Sequence, residues 1–427
     1  MVFCRKREVD TVTVIEFFDK NAVENMLSAL CCQPERILFV GHSRTQIEKR
    51  LVDYRQVIDD RGLKVELLPP RSINRNNLPQ IVEALSAIVE QYGECDFDLD
   101  GGEELYLVAV GIVAQKYRDR VRLHRFNIRN NTVLDCDADG HDNLMAPIAL
   151  NVRENVRIYG GQVVEVSEHK DGTYPWEFTE QFRRDVAKLW EISCRYRTNW
   201  NSCINTLSWA MKEMPHEDHR GFLCKRSVVE PAMEREHDRY RINLPILYAL
   251  EDAKFISHLR VEGDEIEFIF KSVQVKQALS KAGQVLELMA TMAALDAVDE
   301  DGTTTYTDVC CGVYIDWDGD VKPEGAVDVS NEVDVMLMKG SVPVFVSCKN
   351  GNMDPDELYK LETVAQRFGG KYARMALIAP QLDNLGDKGR YIRERARDME
   401  IRVVDDFEEM SYDAMKREMR CLWQNPK

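Results

Sequence analysis

Between residues 12 and 117 the chain repeats one pattern four times, and this repetition constrains the fold more than any other feature of the sequence. Each repeat is a short apolar run followed by a longer stretch with the apolar spacing of a helix. The strands are predicted over Val12–Phe17, Arg36–Val40, Leu63–Leu68 and Cys95–Leu99, and the helices over Asn21–Leu30, Thr45–Arg61, Leu78–Tyr92 and Leu105–Tyr117. Such alternation predicts an α/β fold, with a parallel sheet covered by helices on both faces.

In this architecture a ligand binds beyond the carboxyl ends of the strands, so the loops that follow the strands are the candidate binding site. Glycine lets the backbone approach a ligand closely, and a helix N-terminus favours phosphate. The candidate residues are Asp19, Lys20 and Asn21 in the first loop, Gly41, His42 and Ser43 in the second, and Asp100, Gly101, Gly102 and Glu103 in the third. Glycine at a strand–helix turn is also common without any ligand, and His42 also fits an ordinary loop residue. No Gly-x-Gly-x-x-Gly follows the first strand, which argues against a conventional dehydrogenase.

A second informative stretch begins at Asn331. Alternating residues over Val333–Met338 predict a strand, Lys339-Gly340 a turn, and Val342–Val346 a second strand that ends in Ser347-Cys348-Lys349. Asp354-Pro355-Asp356 then predicts the first turn of a helix that continues through Glu362.

Two charged residues, Asp334 and Lys349, belong to these apolar strands. Because an unpaired buried charge is costly, each of them requires a partner. A divalent cation held by carboxylates, beside a lysine that contacts a water or a phosphate oxygen, is one such arrangement. An ordinary cross-strand pair of Asp334 with Lys349 is the alternative that these residues leave open.

The hairpin resembles that of the PD-(D/E)xK nucleases, in which an acid on one strand and an acid-x-lysine on the next build a magnesium site. Ser347 stands where the second acid is expected. Some restriction enzymes of that superfamily also read Ser-x-Lys and take the acid from the following helix, and Glu362 matches this form. Gly283–Glu287 resembles the family's opening helix, whose glutamate faces the same site.

This resemblance implies a role for each of these side chains. Asp334 and Glu362 bind Mg²⁺ or Mn²⁺, with Glu287 as a further ligand or a nearby carboxylate. Lys349 orients the attacking water or contacts the scissile phosphate, and Ser347 hydrogen-bonds a water at the metal. Glu332 is expected to face away from Asp334 and ranks below these residues.

Both ends of the chain together resemble the CARF-domain nucleases of type III CRISPR systems, which join a CARF domain (CRISPR-associated Rossmann fold) to a PD-(D/E)xK nuclease. The stretches that carry this resemblance are Arg36–Ser43, Asp98–Leu105, Asn331–Asp334 with Ser347–Gly351, and Leu361–Tyr372. The resemblance implies a Rossmann-like CARF domain over residues 1–158, a helical linking module over 159–273 and a restriction-endonuclease-like domain over 274–427. We expect the linking module to include a winged-helix-like unit, with helices over Ile246–Leu250 and Phe255–Leu259 and a strand over Glu265–Phe270.

The same resemblance implies a homodimer that is activated by cyclic tetra-adenylate and hydrolyses single-stranded DNA or RNA, or nicks supercoiled DNA, in antiviral defence. A symmetric cyclic ligand suits a two-fold site shared by two identical domains. The family's loop often reads Thr-Gly-Gly-Thr-Lys, whereas this chain has carboxylates at Asp100, Glu103 and Glu104, which repel phosphate unless they point away or accept ribose hydroxyls. Two other readings are a regulatory sensor with a degenerate nuclease fold and a ring nuclease that cleaves its own ligand.

The charge and the cysteines bound the class of protein. A net charge of −17 argues against general coating of nucleic acid, because such binding requires many lysines and arginines. Twelve cysteines without a Cys-x-x-Cys, in a chain whose start lacks the apolar core of a signal peptide, indicate reduced thiols and a cytoplasmic protein. No run of eighteen apolar residues occurs, so we expect no membrane span.

Overall fold

The computed structural model describes residues 12–128, 132–136, 142–144, 148–168, 172–235, 242–322, 330–351 and 353–424. These residues form three sheets connected by helices. None of the described helices is both long and apolar enough to cross a bilayer.

The first sheet confirms the predicted α/β fold class. Its strands are β1 Thr13–Phe17, β2 Arg36–Gly41, β3 Glu66–Leu67, β4 Arg71–Ser72, β5 Cys95–Asp98, β6 Val121–Asn127, β7 Thr132–Asp135 and β8 Asp142–Leu144. Its helices are α1 Glu24–Cys31, α2 Arg44–Asp60, α3 Leu78–Tyr92 and α4 Glu104–Lys116. The order is β3-β2-β1-β5-β6-β7-β8, with β4 beside β2, and β1, β2, β3, β5 and β6 run parallel.

The strand order reverses between β1 and β5. From β1 the chain runs through β2 to the edge strand β3, then crosses back by α3 to β5 on the other side of β1. In open α/β sheets the ligand crevice lies at this switch point, outside the carboxyl ends of the strands. The three predicted loops follow β1, β2 and β5, which are neighbours in the sheet, so they lie side by side at that crevice.

The middle of the chain includes a second, smaller sheet. The elements of this part of the chain are α5 Val152–Ile158, β9 Gln162–Val163, α6 Glu180–Tyr196, α7 Thr198–Glu213, β10 Gly221–Lys225, α8 Arg226–Arg235, α9 Leu244–Asp252, β11 Ile256–Glu262 and β12 Glu265–Phe270. Here β10, β12 and β11 pair antiparallel. The helix predicted over Phe255–Leu259 is wrong: this segment belongs largely to β11, which pairs with β12 across a turn at Gly263, where φ is +57°. The strand predicted over Glu265–Phe270 is confirmed as β12.

The C-terminal elements are α10 Val273–Ala278, α11 Gln284–Leu295, β13 Asp308–Asp316, β14 Ser330–Lys339, β15 Val342–Cys348, α12 Asp356–Gly369, β16 Arg374–Ile378, α13 Asp387–Asp398, β17 Ile401–Val404 and α14 Tyr412–Cys421. They build a sheet of order β17-β16-β15-β14-β13-β9. The hairpin β14–β15 lies at its centre, as the alternating sequence predicts. The edge strand β9, which the sequence analysis assigns to the linking module, pairs with β13 of this sheet.

Both faces of the C-terminal sheet are covered. One face packs against α11, α6 and α14 in a core that includes Leu288, Val335 and Val346. The other face packs against α12 and α13 in a core that includes Phe345 and Phe368 and continues to α1, α2 and α5. Burial on both sides explains why β15 is apolar from Val342 to Val346 rather than alternating.

The end of α12 contacts the N-terminal domain directly. Glu24 of α1 accepts a hydrogen bond from the Tyr372 hydroxyl. The Glu24 carboxylate also lies 2.7 Å from the Lys371 ammonium. Asn155 of α5 donates to the Phe368 carbonyl at 2.7 Å. The helix that follows the central hairpin is therefore fastened to the helix that follows the first ligand loop.

Candidate metal centre and ligand-binding loops

Three carboxylates converge at the central hairpin. Glu332 and Asp334 lie two residues apart on β14, and Glu287 lies in the first turn of α11, which covers that face of the sheet. Each offers one oxygen, and the three oxygens lie within 4.8 Å of one another. Glu287 and Asp334 are buried, whereas Glu332 is one-quarter exposed. Three hard oxygen donors in one place are the ligand type that Mg²⁺ and Mn²⁺ prefer.

The Lys281 ammonium lies among these acids. Its Nζ is 2.6 Å from Glu332, 3.0 Å from Glu287 and 3.8 Å from Asp334. Burial lowers the pKa of Lys281, but the carboxylates of Glu287, Asp334 and Glu332 outweigh burial and raise that pKa well above its usual value. The lysine therefore supplies the positive charge that keeps three acids together.

Burial also dominates the state of Glu287. Its desolvation, with the negative charge of Asp334 as the next cause, raises the pKa of Glu287 to about 8, against a smaller opposing effect of Lys281. The second oxygen of Glu287 accepts a hydrogen bond from Gln284 Nε2 at 2.9 Å. Gln284 and Lys281 thus hold this carboxyl in place at the cluster.

The end of β15 brings a second lysine to Asp334. The register that pairs Val335 with Val346 places Ser347 opposite Asp334 one step further on. Oδ2 of Asp334 accepts from Ser347 Oγ at 3.3 Å, from the Cys348 amide at 2.7 Å and from Lys349 Nζ at 3.3 Å. Asp334, Ser347 and Lys349, which the sequence predicts to share one site, are therefore in contact in the structure.

A fourth acid, Glu357 in the first turn of α12, holds Lys349 from the other side. Its Oε2 lies 3.3 Å from Lys349 Nζ, and its Oε1 accepts from Lys360 at 2.6 Å. Burial lowers the pKa of Lys349, but Asp334 and Glu357 outweigh burial and raise it. Lys349 is therefore a charged group between two carboxylates, beside a cavity of about 90 Å³ that is lined by Asp334, Ser347 and Glu357.

Glu362 does not join this group, contrary to the expected ligand set. Among the described residues, those that line the cavity include Glu357, Lys360, Leu361 and Val364 of α12 but not Glu362. Glu362 lies five residues beyond Glu357, which is about 140° around the helix at 3.6 residues per turn. The helix therefore presents Glu357 to Lys349 and turns Glu362 aside.

Glu332 takes the place that the sequence analysis gives to Glu362. The expectation that Glu332 faces away from Asp334 is wrong, because residues two apart on a strand point to the same face. This spacing is the signal from which Glu332 was identifiable. No comparable signal marks Lys281 or Glu357, since their positions depend on how α11 and α12 are rotated against the sheet.

The predicted ligand loops also meet. Asp19 Oδ2 accepts from the Gly102 amide at 3.2 Å, while Oδ1 accepts from the amide and the side chain of Asn21 at 2.8 and 3.0 Å. His42 and Glu103 approach each other, with Nδ1 and Oε1 3.9 Å apart. The loops after β1, β2 and β5 therefore form one continuous surface at the switch point.

The glycine pair of the third loop is required by close backbone contact. A Cβ on Gly101 would lie 2.8 Å from the Phe17 carbonyl oxygen, and a Cβ on Gly102 would lie 2.7 Å from Cβ of Phe17. Gly102 also has φ of +97°, which side-chain-bearing residues rarely adopt. These glycines let the third loop pack directly on the end of β1.

Asp100 bonds to the neighbouring strand β6. One of its carboxylate oxygens accepts a hydrogen bond from the Phe126 amide of β6, and its own amide donates to Asp98 Oδ1 at 2.8 Å. Burial first, and the charge of Asp98 second, raise the pKa of Asp100 to about 8. The expected repulsion between the Asp100 carboxylate and a phosphate-bearing ligand is therefore reduced.

Comparison with known proteins gives a likeness of fold. No family model matches the chain, and no curated protein matches its sequence. Protein VC1899 from Vibrio cholerae is 16% identical and superposes with a TM-score of 0.69 over 97% of this chain and 98% of its own. Can2 from Sulfobacillus thermosulfidooxidans, solved in complex with cyclic tetra-adenylate, is 15% identical, with a TM-score of 0.62 over 96% of this chain and 99% of its own. Across nearly its whole length, the chain therefore has the fold of these two proteins.

Proposed function

We propose that this protein is a metal-dependent nuclease that senses cyclic tetra-adenylate in type III CRISPR antiviral defence. The proposed nuclease activity is supported by the convergence of Glu287, Glu332 and Asp334 beside Lys349. The sensing role is supported by the fold shared with Can2, whose structure holds cyclic tetra-adenylate, and by the three loops that meet at the switch point.

The acidic cluster fits a divalent cation. Its donors are carboxylate oxygens close enough to share one ion, and in this structure they are balanced by the ammonium of Lys281 and, at Asp334, by that of Lys349. In our proposal Glu287, Glu332 and Asp334 hold Mg²⁺ or Mn²⁺, and Glu332 replaces Glu362 in the ligand set. When bound, the ion would lower the pKa of a water and offset charge that develops on the phosphate.

The remaining side chains position the substrate. Lys349 keeps its charge between Asp334 and Glu357, so its ammonium orients the attacking water or contacts a phosphate oxygen. Ser347 and the Cys348 amide hydrogen-bond Asp334 and fix its carboxylate on the strand. Ser347 thus acts by orienting an acid, which explains how this position functions without a carboxylate of its own.

The ligand-binding part rests on the loops and on symmetry. Asp19, Lys20, Asn21, Gly41, His42, Ser43, Gly101, Gly102 and Glu103 remain the proposed contacts for cyclic tetra-adenylate, whereas Asp100 supports the loop from within. A symmetric cyclic ligand is matched by two copies of this surface, so the proposal includes a homodimer. The sensing, linking and nuclease regions keep the proposed bounds 1–158, 159–273 and 274–427.

The direct test is incubation with supercoiled plasmid, single-stranded DNA and RNA in Mn²⁺, with and without cyclic tetra-adenylate. We expect cleavage of at least one substrate only when both metal and activator are present. If none of the three substrates is cleaved and the protein still binds the activator, the result would favour the regulatory sensor. Chromatography of the activator after incubation distinguishes the nuclease and the sensor from a ring nuclease, because a ring nuclease would consume the activator.

Lys281 gives a prediction about the metal centre. We expect Lys281→Met to strengthen Mn²⁺ binding by about tenfold, or ~1.4 kcal/mol, because the ammonium competes with the metal for the same three carboxylates. Isothermal titration of Mn²⁺ into the variant and the unmodified protein measures this difference. Lys360→Met, which removes an exposed lysine that pairs with Glu357, is the matched control. Weaker binding in Lys281→Met would show that the lysine supports the site rather than competing for it.

A further inference from the structure

A cleft separates the first ligand loop from the end of α12. It has a volume of about 830 Å³ and lies between the residues that follow β1, the first half of α2 and the segment Gln366–Lys371. It therefore lies at the junction of the two domains, outside both the metal centre and the glycine loop after β5.

The lining of this cleft is strongly basic. Its charged residues are the cations Lys20, Lys49, Arg50, Arg367 and Lys371 and the single acid Asp19. The whole chain carries a net charge of −17, so this concentration of positive charge runs against the composition of the protein. A cleft lined by one sign of charge concentrates ligands of the opposite sign.

Two of the five cations pair with acids outside the lining, Arg50 with Asp53 at 3.3 Å and Lys371 with Glu24 at 2.7 Å. Asp19, the acid within the lining, is engaged elsewhere. Both oxygens of Asp19 are used in hydrogen bonds to backbone and side-chain groups of Asn21 and to the Gly102 amide. Lys20 and Lys49 form no ion pair with any residue in the described part of the chain. The positive charge of these two lysines is thus available to a ligand.

Arg367 is held in the cleft by two backbone carbonyl oxygens. Its guanidinium donates to the Tyr159 carbonyl at 2.6 Å and to the Trp317 carbonyl at 2.9 Å. Burial, and next the positive charge of Arg50, lower the pKa of Arg367. The charge of Asp53, which pairs with Arg50, opposes this lowering only in part, so a further anion in the cleft would stabilise the Arg367 guanidinium.

We propose that this cleft binds a phosphodiester-linked ligand, either a nucleic-acid strand or a cyclic oligonucleotide. The kind of ligand rests on the proposed function, whereas the place of binding rests on the cleft alone. Spaced cations along a groove are the usual means of holding successive phosphates.

The position of the cleft gives such a ligand a bridging role. One wall is the loop after β1, and the opposite wall is the C-terminal end of α12, whose first turn carries Glu357. Ten residues of helix separate Glu357 from Arg367, which is about 15 Å at 1.5 Å per residue. A ligand in the cleft therefore contacts the sensing domain and the nuclease helix at once.

The test is a charge reversal at Lys49, an exposed residue of α2, compared with a charge reversal at Lys64, an exposed lysine away from the cleft. Binding is measured in EDTA, so that no cleavage occurs, with a fluorescein-labelled single-stranded 20-mer in one arm and cyclic tetra-adenylate in the other. We expect Lys49→Glu to weaken at least one probe about tenfold and to reduce the salt slope of strand binding by about 0.7 to 1. Lys64→Glu should change either affinity less than about twofold.

The arm that responds identifies the ligand as a strand or as the cyclic oligonucleotide. Equal affinities of Lys49→Glu and Lys64→Glu for both probes would overturn the proposal. The same preparations are titrated with Mn²⁺, which reports the metal centre separately. If the cleft proposal fails while Mn²⁺ binds normally, the proposed nuclease is unaffected. If the protein binds the probes as expected but does not bind Mn²⁺, the result argues against the nuclease and not against the cleft.

Discussion

Asp334→Asn is expected to reduce phosphodiester cleavage by about 10³-fold or more and to weaken Mn²⁺ binding. Asp334 belongs to the acidic cluster, and its Oδ2 accepts hydrogen bonds from Ser347 and Cys348 of β15 and from Lys349, which follows that strand. Asparagine keeps the shape but removes the charge, and a metal at a reacting phosphate contributes several kcal/mol of transition-state stabilisation. Each tenfold in rate corresponds to about 1.4 kcal/mol.

The measurement is cleavage of the substrate that the unmodified protein cuts, together with a Mn²⁺ titration of the same preparations. Asp356→Asn is the matched control, because Asp356 is an exposed aspartate at the start of α12 that lies outside the acidic cluster. Circular dichroism establishes that both variants are folded. A variant at Asp334 that cuts and binds Mn²⁺ normally would contradict the assignment.

Lys349→Ala is expected to lower cleavage by about 10²–10³-fold, the usual cost of removing one positioned donor from a charged transition state. The variant should retain Mn²⁺ and cyclic tetra-adenylate binding, because Lys349 approaches only one oxygen of Asp334 and lies away from the ligand loops. A loss of rate with both binding steps intact distinguishes a group that acts on the substrate from one that holds the metal.

The control for this variant is Lys360→Ala. Both lysines pair with Glu357, Lys349 at 3.3 Å and Lys360 at 2.6 Å, but Lys360 is largely exposed, whereas Lys349 also lies 3.3 Å from Asp334. Single-turnover cleavage with saturating activator compares the two variants. Undiminished cutting by Lys349→Ala, or an equal loss in both variants, would refute the role given to Lys349.

Much of the fold follows from local patterns in the sequence. The predicted bounds of α3 and β12 agree with the structure, because Leu78–Tyr92 and Glu265–Phe270 carry a clear apolar period and clear ends. The strand β6 and the short strands β9 and β17 were not predicted, since their pairing is decided by neighbours distant in the chain. Propensity over a few residues does not specify such partners.

In the candidate site, too, local sequence patterns identified some residues, whereas the position of others depends on tertiary packing. Asp334, Ser347 and Lys349 were identifiable because a hairpin brings nearby residues together in a register that the sequence determines. The choice of Glu362 failed because it depends on the rotation of α12 about its axis, which Leu358 and Leu361 set by packing into the core. The place of Lys281 depends likewise on how the chain enters α11, which no local pattern records.

The central claim is that Glu287, Glu332 and Asp334 share one cation, and a crystal soaked in manganese tests it most directly. We predict a single anomalous peak within metal–oxygen bonding distance of all three carboxylates, with the Lys281 ammonium displaced from its place among them. A structure in which no manganese binds there, or in which the three side chains point apart while Lys281 stays in place, would contradict the account.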